Sequence, residues 1–498
     1  MPRIPRGMVV ILLDSLNRHH LGAYGGTEFD TPSIDALARR SLRFTRHYAG
    51  SLPCIPARHD ILCGAQDFLW RPWGSVEVWE TSIVRLLREQ RVITTLVTDH
   101  PHLFEAGGEN YHVDFTAWDY QRGHESDAWK TRAASSAVGA PEFWEAGPYA
   151  LSRTYFADES DYPGPRTMRA AAEWIEREAR HHERFLLFVD EFDPHEPWDL
   201  PPPYDTMYRR SAEGPIWPPY ATRATESGAV APDAADHLRG GYGGKLTMID
   251  HWLGRLLQSI DAESLWDDVA VVLLTDHGHY LGEHDIWGKP KAPLYQPIVH
   301  IPMLVAWPRI AARDVDALTT SVDLFPTIAE VFGVAPRHET HGRSLLPLIL
   351  GERDSVREHV LAGVWGREVH VITRAAKYVR APANGNEPLS LWSNRWSTLE
   401  VPMVPRLRMP PPDRRATLDR MPGSDVPVIR QPYRDGDLMP FWAGGEFTGN
   451  HLFALDDDPC EEHDLAGTAV EPEMAELLRT ALLDVGAPDD QLVRLGLR

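Results

Sequence analysis

A short segment near position 54 combines the residue types that anionic chemistry needs. It reads CIPAR over residues 54–58 and continues as LCG over residues 62–64. A cysteine at the start of a helix lies where backbone N–H groups and the helix dipole stabilise negative charge, and Arg58 follows one turn later. The residues alone leave two interpretations open: a reactive position for an anionic substrate, or a buried cysteine between a loop and a helix.

Two other segments supply side chains that suit a metal ion. Asp14 directly follows one apolar run, and Asp276 with His277 follows another. Both runs are typical of buried parallel strands, and ligands of open α/β sheets bind at the carboxyl ends of such strands. Two carboxylates and one imidazole suit a divalent cation. Each residue alone could be structural, but together with Cys54 they predict a metal site.

Runs of aliphatic and β-branched residues predict the strands of a parallel sheet. These runs are Met8–Leu13, Val92–Val97, Phe185–Val189 and Val269–Leu274. Helices are predicted between them, opening at Thr31-Pro32 and covering Arg166–Arg180 and Leu238–Ile260. The alternation predicts a doubly wound α/β fold for the first two-thirds of the chain. Glycines at 240–244 lack the strand and Lys-Ser/Thr of a phosphate loop, so we expect a turn there.

The chain is too long for one hydrophobic core, and its C-terminal third differs in composition. With 498 residues we expect a catalytic α/β domain over residues 1–360 and a smaller α+β subdomain over 361–498. Residues from about 381 to 450 are rich in proline and arginine and show little periodicity. They predict a long irregular insertion in the C-terminal subdomain.

Charge and composition exclude several classes of partner. Lysine and arginine number 50 against 72 aspartates and glutamates, so we expect neither nucleic acid nor a membrane as a partner. No apolar run is long enough to span a bilayer. Three irregularly spaced cysteines argue against a disulfide framework and predict a cytoplasmic protein. The oligomeric state is open, with a homo-oligomer among the options.

The segment at 54–64 resembles the signature C-x-P-x-R-x-x-x-L-x-G of sulfatases in the alkaline phosphatase superfamily. Further segments resemble family landmarks in the expected order: Asp14–Leu16, Leu21–Gly25, Thr275–Gly278, Gly288–Lys289, Ser321–Thr327, Gly342–Leu345 and Leu455–Pro459. The resemblance implies an alkaline-phosphatase-like fold, a doubly wound, mostly parallel sheet flanked by helices. It also implies that a formylglycine-generating enzyme oxidises Cys54 to Cα-formylglycine, which joins Asp14, Asp276 and His277 as a metal ligand. Cys63 stands where many members have threonine, and we expect a core residue.

Two departures from the family pattern concern the metal. Most sulfatases have two adjacent aspartates where this chain has Asp14-Ser15, and many have asparagine at the position of His277. One carboxylate fewer and one imidazole more weaken the preference for calcium and strengthen that for manganese. Calcium remains the predicted ion, with manganese as the alternative.

The resemblance also implies roles for further side chains. His195, in a Pro-His-Glu-Pro segment, is similar to the histidine that contacts the transferred group, and we expect it to protonate the leaving oxygen. Lys289 resembles the lysine that grips a sulfate oxygen, and Arg58 adds positive charge. His102 is expected to accept the proton of the second formylglycine hydroxyl, while His100 replaces a family lysine. The structural alternatives are a rigid proline loop around His195 and a solvated charge at Lys289.

These residues predict a hydrolase that cleaves a sulfate monoester, a small anionic substrate, through formylglycine at position 54 and one divalent metal ion. The alternative with the same core is a phosphonate monoester or phosphodiester hydrolase. Phosphate monoesters are disfavoured because no second metal cluster is visible in the sequence. A third interpretation, from another class, is a non-catalytic, metal-stabilised binding protein in which Cys54 remains a thiol.

Overall fold

The described part of the chain forms three layers, with a large sheet between two layers of helices. The computed structural model describes residues 3–134, 143–289, 293–396, 411–434, 436–439, 443 and 449–498. The strands of this part of the chain are β1 (Gly7–Leu13), β2 (Leu42–Tyr48), β3 (Ser51–Leu52), β4 (Ile93–Thr98), β5 (Ala117–Tyr120), β6 (Phe185–Glu191), β7 (Val269–Leu274), β8 (Tyr280–Leu281), β9 (Trp287–Gly288), β10 (Met303–Ala306), β11 (Arg313–Thr320), β12 (Val360–Val364), β13 (Val369–Ile372), β14 (Ala376–Arg380), β15 (Leu389–Ser393), β16 (Thr417–Arg420), β17 (Pro427–Tyr433) and β18 (His451–Ala454). Its helices are α1 (Pro32–Ala38), α2 (Cys54–Cys63), α3 (Ile83–Glu89), α4 (Phe143–Arg153), α5 (Pro163–Arg177), α6 (Tyr204–Met207), α7 (Pro232–Ala262), α8 (Gln296–Val299), α9 (Leu324–Phe332), α10 (Leu346–Ile349), α11 (Glu471–Asp484) and α12 (Asp489–Arg494).

The large sheet is mostly parallel, as predicted. Among the described residues it has eight strands in the order β11-β2-β10-β7-β1-β6-β4-β5. The central strand β1 pairs in parallel with β6 on one side and β7 on the other. Only β10 runs antiparallel to its neighbours within this described sheet. The carboxyl ends of the central strands therefore lie at one edge, where the sequence places its acidic residues.

Both faces of the sheet are covered, which explains why the central strands are apolar throughout. Side chains alternate between the two faces of a strand. In β1, Met8, Val10 and Leu12 therefore pack in one apolar cluster, which includes residues of α2 and α9. The intervening side chains of β1 pack in a second cluster with residues of α5 and α7. Helices on both faces confirm the predicted doubly wound fold. None of the described helices has both the length and the apolar character that a membrane span requires.

The glycines at 240–244 lie inside helix α7, so the prediction of a turn there was wrong. Glycine allows other segments to approach the helix closely at these positions. A Cβ atom on Gly244 would lie 2.5 Å from the backbone oxygen of Tyr204, and one on Gly243 would lie 2.3 Å from the ring of Phe29. These partners are distant in sequence, which is why local pattern alone suggested a chain reversal.

The C-terminal part of the chain forms two smaller sheets. The first has the order β18-β14-β13-β12-β3, and β3 ends two residues before Cys54. The second contains β15, β17 and β16, and it lies in the stretch that was predicted to be irregular. In β17 the buried residues Val428, Gln431 and Tyr433 stand among exposed and partly exposed ones. Other parts of that stretch, such as residues 397–410, lie outside the described residues, and the domain boundary at 360 stays a prediction.

Candidate active site

Four predicted metal ligands meet where strands β1 and β7 end. The two strands are parallel neighbours, so Asp14 and Asp276 follow them at the same edge of the sheet. Cys54 is the first residue of α2, and its Sγ lies 3.3 Å from Nε2 of His277. One ligand atom from each of these four residues lies within 4.8 Å of the other three, and all four residues are buried. The structure therefore brings together the side chains that the sequence predicted as metal ligands.

The donor atoms of this cluster fit a divalent cation. Nδ1 of His277 donates to the carbonyl oxygen of Gly278 at 2.9 Å, which leaves the lone pair of Nε2 facing the cluster. Burial would raise the pKa of Asp14, but Arg58 and His100 hold it well below its usual range, so this carboxylate is ionised. Burial raises the pKa of the Cys54 thiol well above its usual range. An unmodified cysteine would therefore be a neutral thiol, a weaker ligand for a hard cation than a hydroxyl oxygen.

Arg58 is fully buried among three carboxylates. Its Nε and Nη2 atoms lie 2.8 and 2.7 Å from the two oxygens of Asp190. It also donates to Asp276 at 2.8 Å, to Asp14 at 3.0 Å and to the carbonyl oxygen of Cys54 at 3.0 Å. These contacts engage all five N–H groups, so Arg58 orients the predicted metal ligands, and its contact with substrate stays a prediction. Three carboxylates against one guanidinium leave two negative charges, which a divalent cation would neutralise.

Lys289 lies in the same site and is bonded to Ser15. Its Nζ donates to Oγ of Ser15 at 2.8 Å. That hydroxyl donates to Asp14 at 2.7 Å, and the backbone N–H of Ser15 donates to Asp276 at 3.1 Å. Ser15 has a φ of 62°, a left-handed conformation that costs energy in residues other than glycine and that clusters at functional sites. A strained serine thus connects the predicted sulfate-binding lysine to two predicted metal ligands.

His195 lies in the loop after β6, where the sequence predicted a leaving-group acid. Its Nδ1 donates to the backbone oxygen of Glu196 at 2.7 Å, and its ring stacks on Phe192 at 4.1 Å between centroids. Nε2 is therefore the atom that can carry a proton to a leaving group. Burial lowers the pKa of His195, although Glu196 acts in the opposite direction. An acid role requires a bound anionic substrate to raise that pKa.

Sequence reasoning assigned no role to Glu196, a fully buried carboxylate. Its Oε2 lies 3.2 Å from Nε2 of His279, 3.5 Å from Nδ1 of His195 and 3.6 Å from Nζ of Lys289. Burial would raise the pKa of Glu196, but His195 and Lys289 keep it well below its usual range. The position of Glu196 between two prolines, in the loop after a predicted strand, was the sequence feature that could have indicated a role. Glu196 links the predicted acid to the predicted sulfate-binding lysine.

His102 is held between two carboxylates, which does not fit its predicted role as a proton acceptor. Its Nδ1 lies 2.7 Å from Glu105, and its Nε2 lies 3.0 Å from Glu125. Burial would lower the pKa of His102, but these carboxylates raise it to about 10, so the imidazole is already protonated at neutral pH. Burial instead keeps the pKa of His100 well below its usual range, and Nε2 of this neutral ring lies 3.4 Å from Asp14.

Cys63 is a core residue, as predicted, but its neighbours are polar. It lies at the end of α2, close to His59 and Glu80. Nε2 of His59 is 2.8 Å from the carboxylate of Glu80. Burial raises the pKa of the Cys63 thiol to about 12, so the thiol stays protonated beside this ion pair.

Known proteins resemble this chain in sequence and in structure. Choline-sulfatase of Rhizobium meliloti is 26% identical over 381 residues, which cover 69% of this chain and 71% of that protein. Phosphonate monoester hydrolase of Agrobacterium radiobacter superposes with a TM-score of 0.65 at 18% identity, covering 97% of this chain and 95% of that one. A protein whose structure was solved in complex with its substrate D-glucosamine-2-N,6-O-disulfate superposes with a TM-score of 0.66 at 15% identity. The superposition covers 98% of this chain and 99% of that one.

These structural likenesses confirm the predicted alkaline-phosphatase-like fold. The family model described as Sulfatase matches residues 6–334, about two-thirds of the chain. That match includes every predicted site residue described above. The chain therefore belongs to the sulfatase family of the alkaline phosphatase superfamily and is a hydrolase of that family.

Proposed function

We propose that the chain hydrolyses sulfate monoesters with formylglycine at position 54 as the nucleophile and one divalent cation. The observation that carries this proposal is the meeting of Cys54 with Asp14, Asp276 and His277 in one buried cluster. The position of Lys289 beside that cluster supports an anionic ester as substrate. Similarity to a choline-sulfatase supports a sulfate ester in particular.

The cation would be held by the four clustered residues, with an oxygen of formylglycine in place of the Cys54 sulfur. We propose calcium, with manganese as the alternative because His277 adds an imidazole to the ligand set. When bound, the cation lowers the pKa of the hydroxyl on residue 54 and offsets the charge of the sulfate oxygens.

Side chains of the protein bind the sulfate and transfer the protons. Lys289 binds a sulfate oxygen while one hydroxyl of hydrated formylglycine attacks the sulfur. The bond from sulfur to the leaving oxygen breaks, and Nε2 of His195 gives its proton to that oxygen. The second hydroxyl then loses its proton as sulfate departs, which regenerates the aldehyde. We assign that proton to Nε2 of His195, which is free to accept one after it has protonated the leaving oxygen.

A phosphonate monoester or phosphodiester hydrolase is the second candidate function. The imidazole of His277 in the ligand cluster and the single carboxylate at positions 14 and 15 favour it. Both candidate substrates are monoanions, so the net charge of the site does not separate them.

The two functions are distinguished by comparing kcat/KM for an aryl sulfate and a matched phenyl phosphonate ester. Both are measured on one preparation of the metal-loaded, formylglycine-containing enzyme. We expect the sulfate to be preferred. A phosphonate preference above about a hundredfold, roughly 2.7 kcal/mol of transition-state binding, would make the second candidate the function. The Cys54→Ala variant is the control and should be inactive on both esters.

A further inference from the structure

A buried ion pair in the C-terminal part of the chain contacts the backbone of Leu294 and Gln296. Nζ of Lys377, on β14, lies 2.7 Å from Oε1 of Glu461, and both side chains are fully buried. Lys377 also donates to the carbonyl oxygen of Leu294. The other oxygen of Glu461 accepts from the backbone N–H of Gln296 at 2.7 Å. The pair therefore binds backbone groups on both sides of residue 295, a short distance along the chain from Lys289.

Tyr280 contacts the backbone of Gly288 and of residues 293 and 295. In the β8–β9 hairpin Tyr280 is paired with Gly288, the residue directly before Lys289. Its hydroxyl accepts from the backbone N–H of Tyr295 at 2.7 Å and donates to the carbonyl oxygen of Pro293. Tyr280 thus contacts both Gly288 and residues 293–295, and the Lys377–Glu461 pair holds the neighbouring Leu294 and Gln296.

Stability of the fold alone does not explain this buried ion pair. Two charges lose their hydration in the interior, and apolar replacements of such pairs are often neutral or stabilising. Glu461 also has a φ of 57°, a strained conformation for a residue other than glycine. The turn that contains Glu461 is held by Asp458, whose carboxylate accepts from the backbone N–H groups of Glu462 and His463 at 3.0 and 2.7 Å. These features together aim the carboxylate of Glu461 at the backbone of Gln296.

We propose that Lys377 and Glu461 are positioning residues for sulfate binding. They fix residues 293–296 and, through Tyr280, the β8–β9 hairpin that Lys289 directly follows, so that its ammonium group reaches Ser15 and the sulfate of the substrate. The inference rests on the proposed function of Lys289. It gives a role to the Leu455–Pro459 segment, which leads to Glu461.

A double-mutant cycle with Lys289 tests this proposal in the full-length, formylglycine-containing enzyme. Lys377→Met and Lys289→Ala are made singly and together. The readouts are kcat/KM for an aryl sulfate and the inhibition constant of inorganic sulfate. We expect Lys377→Met to weaken both about tenfold, mainly through KM, but less than about twofold when Lys289 is already alanine. Lys377→Arg keeps the charge and should restore most of the loss.

A matched control removes a different ion pair of the C-terminal part. Arg430 of β17 lies 2.9 Å from Asp490 of α12, in the other small sheet and its adjoining helix, so Arg430→Met should change kcat/KM less than about twofold. Equal losses from Lys377→Met in both backgrounds would overturn the positioning role.

Two further outcomes keep the proposals separate. If Lys289→Ala leaves both readouts unchanged, the sulfate-binding function of Lys289 fails rather than the ion pair's link to it. If Lys377→Met does not fold, the nearly isosteric Glu461→Gln enters the same cycle. The expected and contradicting results for that variant are the same.

Discussion

The guanidinium of Arg58 forms a two-pronged ion pair with the carboxylate of Asp190, at 2.7 and 2.8 Å, inside the proposed active site. The same guanidinium also contacts Asp14 and Asp276, two of the proposed metal ligands. A fixed planar fork can orient several carboxylates at once, which the point charge of a lysine cannot do. Arg58, on helix α2, therefore holds the carboxylates of Asp14 and Asp276 in position for a metal ion.

Replacing Arg58 by alanine should destabilise the protein by about 3–5 kcal/mol, because buried carboxylates would lose their partner. Urea unfolding at pH 7 in the presence of a chelator measures this change. Arg58→Lys keeps the charge but loses the fork, so it should fall between the wild type and the alanine variant. A loss below about 1 kcal/mol for Arg58→Ala would mean that the carboxylates do not depend on this residue.

Asp276→Asn should greatly reduce metal binding, because an amide of the same shape lacks the charge that a divalent cation needs. Metal content is measured by mass spectrometry of the ion after dialysis against calcium and, separately, manganese. We expect about one ion per wild-type chain and far less in the variant. Asp250→Asn is the control, since that buried aspartate accepts hydrogen bonds from Ser33 and Ile34 instead. Full metal content in Asp276→Asn would contradict the proposed site.

His195→Asn should affect esters with poor leaving groups most. A nitrophenolate leaves readily without a proton, so 4-nitrophenyl sulfate should lose about tenfold in kcat/KM, whereas phenyl sulfate should lose a hundredfold or more. Burial lowers the pKa of His195 below its usual 6.5. Its protonated fraction in the free enzyme therefore decreases as pH rises towards neutrality, and kcat/KM for phenyl sulfate should decrease with it. That pH dependence should vanish in the variant; equal losses on both esters would rule out an acid role.

The His102 ion pairs should make stability depend on alkaline pH. The pKa of His102 is about 10 in the folded protein, above the usual 6.5. Its stabilising contribution is therefore complete below pH 6.5 and is lost as pH rises through about 10. The difference in unfolding free energy between the wild type and His102→Asn should shrink from pH 6 to pH 10. His463→Asn, at an exposed position, serves as the control. A difference that stays constant with pH would show that His102 is not held protonated.

Much of the sheet and both carboxylates of the proposed metal site could be predicted from strand patterns. Strands covered on both faces are continuously apolar, so β1 and β7 were recognised almost to their ends. Asp14 and Asp276 then followed from the rule that ligands lie beyond the carboxyl ends of such strands. Asp190 obeys the same rule but stands next to Glu191. Adjacent strand residues face opposite sides, and only the tertiary structure shows that Asp190 is the one that faces Arg58.

Protonation states could not be predicted because they depend on partners from other loops. Glu125, which helps to hold His102 protonated, comes from a later loop and has a left-handed φ of 39°. No spacing rule connects these two residues. The bond between Lys289 and Ser15 is likewise tertiary, since it joins residues from opposite ends of the α/β region. The sequence could therefore assign these residues to a site, but it could not predict their protonation states or hydrogen-bond partners.

The claim that position 54 carries formylglycine is tested most directly by the mass of the tryptic peptide that covers residues 47–58. Trypsin cleaves after Arg46 and Arg58, so this peptide contains Cys54 but not Cys63. Conversion of the thiol to an aldehyde removes the elements of H₂S and adds one oxygen atom. We predict this mass in protein produced together with a formylglycine-generating enzyme, with sulfatase activity in proportion to the converted fraction. Full activity in a preparation whose peptide still carries an alkylatable thiol at Cys54 would contradict the account.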